Sequence, residues 1–237
     1  MYSSYCILQF SEEGSVVKSA SKTLGPLKIQ IVRYNTYMFE KAVKHFKTVD
    51  PLLYELAVNI EPLSPMLPSN EHFVRLCRSI VGQQLSVKAA QTIFTRFQNL
   101  FDNKITPEKI LKADKEALRG CGISYSKVSY IKDLAEKVIE KKLILETIHE
   151  DNDETVIKNL TTVKGIGNWS AEMFLMFSLG RPDIFSVQDV GLQNAMKKLY
   201  GLEEIKKEEL LRISEKWKPY RTFACMILWR SLDNEPK

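Results

Sequence analysis

The segment Leu160-Thr-Thr-Val-Lys-Gly-Ile-Gly-Asn-Trp-Ser-Ala-Glu-Met-Phe174 decides the fold, because it places a tight turn between two helical patterns. Its glycines, Gly165 and Gly167, allow positive φ angles and the close approach of another backbone. The turn opens a helix whose free N–H groups and dipole favour an anion such as a duplex phosphate. A plain structural connection between two helices has the same sequence, so the turn alone leaves both interpretations open.

The helical pattern extends from Tyr37 to the C-terminal region, where apolar residues recur every three or four positions. Asp50, Ser86 and Thr106 stand at expected helix N-caps. Nine or ten helices are predicted, among them a helix from about Ser126 and later ones at Thr155–Val163, Asn168–Leu179, Val190–Tyr200, Lys206–Glu215 and Tyr220–Ser231. The predicted fold class is mainly α.

Residues 1–36 differ from the rest, because they are rich in serine and contain two stretches with strand-like content. These are Tyr5–Phe10 and Leu27–Tyr34, and the second partly alternates apolar with polar residues. A small N-terminal β element is therefore expected before a helical domain over residues 37–237.

Composition excludes several classes of protein. With 237 residues and 44% hydrophobic content the chain can bury one core, or two small lobes that share one. No apolar run approaches the roughly 20 residues that cross a bilayer. The start lacks a basic and then apolar leader, so an intracellular setting is expected. The net charge of +5 permits a polyanionic partner without requiring one.

The four cysteines argue against a structural metal site. Cys6, Cys77, Cys121 and Cys225 show no CxxC spacing, and only three histidines accompany them. A zinc site or an iron–sulfur cluster is therefore not expected. Free thiols, some of them buried, are expected instead.

Two further segments contain residue types suited to chemistry. Asp189 is a lone carboxylate directly before a helical stretch, where an N-cap role and a catalytic role are compatible. The tryptophans Trp217 and Trp229 lie near the C-terminus, and Trp169 lies in the hairpin segment. Aromatic residues on helices are usually part of a core, so these alone do not indicate a site.

Together these segments resemble the helix-hairpin-helix superfamily of DNA glycosylases, in its 3-methyladenine DNA glycosylase II branch. The resemblance covers roughly residues 37–231 and rests on five blocks in matching order: Ser79–Ser86, Gly122–Lys132, Val163–Ala171, Phe185–Gly191 and Trp217–Thr222. It implies a two-lobed helical fold, with the hairpin at 163–167 and the active site between the lobes.

The resemblance implies that Asp189 is the catalytic aspartate, twenty positions after Trp169. Lyase-capable branches have a lysine at the position of Trp169, so the resemblance implies a monofunctional enzyme that cannot form a Schiff base. It also places Trp169 and Trp229 in the base pocket, with Tyr125 as a further candidate. Aromatic faces would attract a cationic alkylated base.

The expected DNA contacts follow from the same resemblance. Gln84 is the candidate for the side chain that fills the space of the flipped base, although an exposed polar turn residue would look the same. The other expected DNA contacts are Lys164, Gly165, Gly167 and Ser170. No cofactor is expected, apart from a sodium or potassium ion on the backbone carbonyls of Thr161, Val163 and Ile166.

The expected partner is double-stranded DNA with damaged bases, bound by a monomer that does not associate with membranes. Nuclear and prokaryotic cytoplasmic or nucleoid settings are not separated by the sequence. Two alternatives stay open: a glycosylase for uracil, hypoxanthine or oxidised guanine, and a non-catalytic DNA-binding module. Among alkylated purines the preferred base is also open.

Overall fold

The computed structural model describes residues 26–60 and 71–233, with side-chain surroundings from residue 36 onward. These residues contain twelve α-helices and no strand. The helices are α1 Pro26–Val49, α2 Pro51–Val58, α3 His72–Gly82, α4 Val87–Leu100, α5 Pro107–Lys112, α6 Lys115–Gly120, α7 Tyr125–Ile139, α8 Asp153–Leu160, α9 Asn168–Phe177, α10 Val190–Tyr200, α11 Lys207–Glu215 and α12 Arg221–Asp233. The mainly α fold class is confirmed.

The strand expected at Leu27–Tyr34 is wrong, because this stretch belongs to helix α1. Leu27, Ile31, Tyr34 and Met38 are spaced by three or four residues, which is a helical repeat. Short apolar stretches often fit both periods, and here helix α1 continues for another fifteen residues, to Val49. The other expected strand, Tyr5–Phe10, lies outside the described residues.

Side-chain caps start several of the helices where the sequence predicts. The Ser86 hydroxyl accepts a hydrogen bond from Ala89 N–H at 3.3 Å, and the Thr106 hydroxyl accepts one from Lys109 N–H at 3.4 Å. A separate helix at α6 is not predicted, because Thr106 is the one helix start that the sequence analysis identifies in this region. Its N-cap is Asp114, whose carboxylate accepts two backbone N–H bonds.

The chain divides into two compact units. One is Ser69–Leu179, and the other combines Met1–Pro68 with Gly180–Lys237. In the first unit, α3 packs against α4 and α7, and α5 also packs against α7. Its fully buried side chains include Ile80, Phe97 and Ile131. This unit contains the glycine hairpin, between α8 and α9.

The second unit contains Asp189 and two of the three tryptophans. In it α12 packs against α1, α2 and α10. Phe46, Leu53, Trp217 and Trp229 are buried in its core. This core fixes the end of α12 next to the start of α10.

Two further expectations can be compared with the described residues. Cys77, Cys121 and Cys225 are buried thiols that do not form disulfides, whereas Cys6 lies outside the described part of the chain. None of the helices in residues 26–60 and 71–233 is both apolar enough and long enough to span a bilayer.

Candidate active site

Asp189 is the N-cap of α10, as its place before a helical stretch predicts. Its Oδ1 accepts a hydrogen bond from Leu192 N–H at 2.8 Å. Only 3% of the residue is exposed. The free N–H groups of a helix start stabilise a negative charge, and burial in a medium of low dielectric strengthens its interactions. Asp189 therefore supplies a carboxylate that is held in one orientation and shielded from bulk water.

Trp229 contacts the same carboxylate oxygen from α12. Its indole Nε1–H donates to Asp189 Oδ1 at 3.0 Å, and the residue is 1% exposed. The family resemblance implies that Trp229 is a wall of a base pocket. The structure adds a different contact, in which the indole N–H fixes the carboxylate. Nothing in the sequence signals this bond, since forty residues separate its partners.

The loop before Asp189 is fastened to the start of α12. Arg221 pairs with Asp183 in a bidentate arrangement, with Nε–Oδ1 at 2.8 Å and Nη2–Oδ2 at 3.0 Å. The Thr222 hydroxyl accepts from Ile184 N–H at 3.0 Å and donates to Arg181 O at 2.7 Å. The Trp217–Thr222 block thus secures the loop that leads to Asp189.

A second buried aspartate in this unit repeats the arrangement. Asp50 is also 3% exposed and caps α2, with Leu53 N–H 3.2 Å from its Oδ1. Its Oδ2 accepts from Trp217 Nε1 at 2.9 Å and from the Tyr200 hydroxyl at 2.8 Å. Burial and the nearby Asp50 carboxylate raise the pKa of Tyr200 well above its usual value. Donors on both oxygens of Asp50 indicate a structural role, of which the sequence predicts only the helix cap.

The hairpin in the other unit depends on Gly165. This residue has a φ of +80°, and a Cβ placed there would lie 2.1 Å from Tyr130 Cδ2. Gly167 is the N-cap of α9 with a φ of −97°, and nothing lies within 4 Å of its Cβ position. The close approach expected from the two glycines therefore occurs at Gly165, against an aromatic ring of α7.

The hairpin is also fixed by a buried carboxylate of α7. Asp133 accepts a hydrogen bond from Lys164 N–H at 2.9 Å and pairs with Lys137 Nζ at 2.7 Å. Burial raises the pKa of Asp133, but these two hydrogen bonds and the charges of both lysines outweigh burial and hold the pKa below its usual value. The ammonium of Lys164 also lies 3.6 Å from Asp133 Oδ1, on a side chain that is 70% exposed.

The expected intercalating residue, Gln84, lies in a turn between α3 and α4. Gln83 has φ −51° and ψ 132°, Gln84 has φ 57°, and Leu85 N–H donates to Gly82 O at 3.2 Å. These values match a type II turn, which favours glycine at the position that Gln84 occupies. Gln84 is exposed. A non-glycine residue in this region costs about 1–3 kcal/mol, so the neighbouring contacts must hold the turn.

The remaining predicted residues have distinct surroundings. Trp169 is half-buried in the first turn of α9, and Ser170 follows it. Tyr125 is 59% exposed at the start of α7, where its hydroxyl donates to Glu116 and the Arg119 guanidinium lies 4.3 Å from its ring centroid. Tyr125 thus belongs to a surface cluster of the hairpin-containing unit.

The expected cation site consists of backbone oxygens. Val163 O accepts a hydrogen bond from Ile166 N–H at 3.1 Å, which leaves this oxygen one lone pair for an ion. Hard alkali cations prefer such oxygen donors, so the residues fit the expectation chemically. Among the described residues, no three His, Cys, Asp or Glu side chains come together as a metal site.

Comparison with known proteins identifies the family. The family model for HhH-GPD superfamily base excision DNA repair proteins matches residues 77–219. The chain belongs to the HhH-GPD superfamily. The matched region contains the hairpin, Trp169 and Asp189, whereas Trp229 lies beyond it.

Individual HhH-GPD proteins are similar over most of the chain. DNA-3-methyladenine glycosylase 1 of Schizosaccharomyces pombe is 37% identical over 183 residues, which is 76% of this chain and 80% of that protein. The crystal structure of a Bacillus halodurans DNA-3-methyladenine glycosidase has 40% identity and a TM-score of 0.73, and the match covers 81% of this chain and 89% of that one. The structure of an S. pombe 3-methyladenine DNA glycosylase in complex with abasic DNA has 34% identity and a TM-score of 0.71, covering 83% of this chain and all of that one.

HhH-GPD membership confirms the resemblance on which the site predictions rest. The structure brings together Asp189 and Trp229 in one unit, and the hairpin with the Gln84 turn in the other. The catalytic role of Asp189 and the roles of the base-pocket, DNA-binding and cation-binding residues stay predictions.

Proposed function

We propose that this protein is a monofunctional DNA glycosylase of base excision repair, which flips alkylated purines such as 3-methyladenine out of duplex DNA and hydrolyses their N-glycosidic bond. The observation that carries the proposal is the buried Asp189 carboxylate, fixed by the start of α10 and the indole of Trp229. The relatives named as DNA-3-methyladenine glycosylases support the substrate class.

The reaction needs a negative group beside the sugar. As the bond from C1′ to the base nitrogen breaks, its electron pair leaves with the base and positive charge develops on the deoxyribose. A water oxygen then bonds to C1′, and the Asp189 carboxylate accepts the proton that this water loses. The same carboxylate stabilises the sugar cation electrostatically. An alkylated base that is cationic departs as a neutral molecule, so little acid catalysis is needed.

Trp169 favours hydrolysis without strand cleavage. A lyase reaction would require an amine that attacks C1′, and an indole cannot form a Schiff base. The half-buried indole ring of Trp169 would instead attract a cationic purine, by a cation–π contact of about 0.5–2 kcal/mol. Tyr125, at the surface of its unit, would serve DNA binding more readily than enclosure of the base.

DNA binding is assigned to the hairpin and the turn. The first N–H groups of α9, at Gly167 through Ser170, would bind a phosphate, and Lys164 would add its ammonium. Gln84 would fill the vacated position in the duplex. A sodium or potassium ion on Thr161, Val163 and Ile166 would connect the hairpin to the same phosphate. The protein would act as a monomer on cellular DNA.

The test is a single-turnover excision panel with an aspartate control. Methylated duplex DNA reports release of 3-methyladenine, 7-methylguanine and 1-methyladenine, and defined duplexes report hypoxanthine and uracil. We expect Asp189→Asn to lower the excision rate at least about 100-fold, the scale of losing one contact to a transition-state charge, while duplex affinity is retained. Asp50→Asn is the matched control, because Asp50 is an equally buried cap with an indole donor.

The outcomes separate the alternatives. Asp50→Asn should lower stability but keep the rate within about two-fold when the protein is folded. Full excision by Asp189→Asn would refute the catalytic assignment, and release of uracil or hypoxanthine alone would change the substrate class. Duplex binding without release of any base would leave a DNA-binding module. DNA affinity should also fall steeply with salt, because phosphate contacts dominate it.

A further inference from the structure

Helix α7 supports both DNA-directed segments of its unit through one face. Lys127, Tyr130 and Asp133 follow each other at three-residue spacing, which places them along one side of a helix. Lys127 reaches the turn that contains Gln84, and Tyr130 and Asp133 reach the hairpin. We call this set of three residues the α7 ridge.

The first contact of the α7 ridge closes the end of α3. Lys127 Nζ donates to Val81 O at 2.9 Å and to Gln83 O at 2.5 Å. The last carbonyls of a helix have no partner within the helix, and a cation there is favoured by the helix dipole. The burial of Lys127 lowers its pKa, because the ammonium loses hydration. These two carbonyls replace part of that hydration.

Gln83 transmits this contact to the hairpin. While its backbone oxygen accepts from Lys127, its side-chain Nε2 donates to Gly165 O at 2.8 Å. Gly165 is the residue whose Cα packs against the Tyr130 ring. The turn and the hairpin are therefore joined twice, directly through Gln83 and indirectly through α7.

Gln84 has a strained backbone conformation that depends on the contacts of the turn. Gln84 keeps a φ of 57° only if the residues around it determine its backbone. Gln83 precedes it and is held at both its backbone and its side chain. Loss of the Lys127 contact would free the Gln83 carbonyl and allow the turn to relax.

We propose that Lys127 is a positioning residue for base flipping, which acts through Gln83 to hold the Gln84 turn at a fixed distance from the hairpin. This inference rests on the proposed function, since it assumes that Gln84 enters the duplex while the hairpin binds phosphate. Lys127 itself need not touch DNA. Its effect is that Gln84 is correctly placed to enter the duplex while the hairpin binds phosphate.

The experiment compares Lys127→Met with Lys132→Met. Lys132 is a matched control, because it lies on the same helix and donates to the carbonyls at the end of α5, Ala113 O at 2.8 Å and Leu111 O at 3.5 Å. Both substitutions remove a lysine that closes a helix end. Only Lys127 contacts the turn.

The experiment measures insertion of the Gln84 side chain into the duplex, in addition to excision activity. The probe is a duplex with a tetrahydrofuran abasic-site analogue opposite 2-aminopurine, whose fluorescence rises when the inserted side chain unstacks it. We expect Lys127→Met to lower the affinity ratio of this duplex to an undamaged one about ten-fold, with a smaller fluorescence rise. Lys132→Met should keep both within about two-fold. Equal ratios in the two variants would overturn the proposal and leave Lys127 as a cap.

Two further variants keep the test decisive. If Lys127→Met does not fold, Gln83→Leu removes the side-chain bond to Gly165 from a half-exposed position and should lower the same ratio. Lys127→Arg retains a cation with several donors and should recover most of it. In the double variant of Lys127→Met and Gln83→Leu, the decrease in the affinity ratio should be smaller than the two single decreases combined, because both substitutions disrupt the same connection. Absence of excision by the wild-type protein would refute the proposed function, whereas a wild-type ratio in Lys127→Met would refute only this inference.

Discussion

The hydrogen bond from Trp229 to Asp189 can be tested separately from the aromatic face of Trp229. Trp229→Phe keeps an aromatic ring and removes the Nε1–H that lies 3.0 Å from Asp189 Oδ1. Trp217→Phe removes the same donor from Asp50, at 2.9 Å, from a residue that is equally buried. The two variants therefore differ in which aspartate loses its indole partner.

The size of the effect follows from the contacts that remain. A hydrogen bond to a charged group contributes about 1.5–3 kcal/mol. Asp189 Oδ1 keeps the bond from Leu192 N–H at 2.8 Å, so the lower end of this range is expected. Since 1.36 kcal/mol corresponds to a factor of ten, the excision rate of Trp229→Phe should fall about ten-fold. Both variants should also lose about 2–4 kcal/mol of unfolding free energy, because a smaller ring leaves a cavity.

The assay is single-turnover excision at saturating enzyme, well below the melting temperature of both variants. A donor that orients the carboxylate affects every substrate alike, so the ten-fold loss in Trp229→Phe should be the same for 3-methyladenine and 7-methylguanine. Trp217→Phe should stay within about two-fold of wild type. Equal rates in the two variants would refute the orienting role, and a loss that depends on the base would assign Trp229 to the pocket wall instead.

Two predictions concern the hairpin. Gly165→Ala should lower the unfolding free energy by about 2–4 kcal/mol, because its Cβ would overlap the Tyr130 ring at a φ of +80°. Gly167→Ala should lower it by only about 1 kcal/mol, because alanine is a poorer helix cap. Urea unfolding measures both losses, and equal losses would contradict the packing argument. Because the pKa of Asp133 is lowered in the folded protein, its contribution to stability is complete above the ordinary pKa of about 3.9 and is lost as pH falls through the lowered value. Unfolding from pH 7 to about pH 2 should therefore show that Asp133→Asn is less stable at neutral pH and converges with wild type in acid, and a constant difference would refute the assignment.

Much of the helical pattern was readable from the sequence, because its signals are local. Ser86 and Asp189 each bind a backbone N–H three residues later, and this requires only the right residue before an apolar period. The failure at Leu27–Tyr34 is also local, since a short apolar stretch fits both a strand and a helix. Elsewhere the predicted helix boundaries differ from the observed ones by at most three residues, and those of α10 agree at both ends.

The contacts that build the candidate site were not readable, because they join distant parts of the chain. The indole of Trp229 could have served any acceptor, and nothing near it in sequence indicates Asp189. Lys127 could likewise have been a solvated charge on α7. Its placement at Val81 and Gln83 depends on how α3 and α7 pack, which the local pattern does not determine.

The two aspartates show why fold and chemistry must be considered together. Asp50 and Asp189 are both buried helix caps that accept an indole N–H, so neither burial nor this pairing identifies a catalytic group. Donors occupy both oxygens of Asp50, including the Tyr200 hydroxyl, and a carboxylate so engaged serves the core. The proposal that Asp189 acts in glycosidic bond cleavage rests instead on its position twenty residues after Trp169, within the region that the family model matches. Under the proposed function, the arrangement that stabilises the fold at Asp50 would hold the Asp189 carboxylate in place for the reaction.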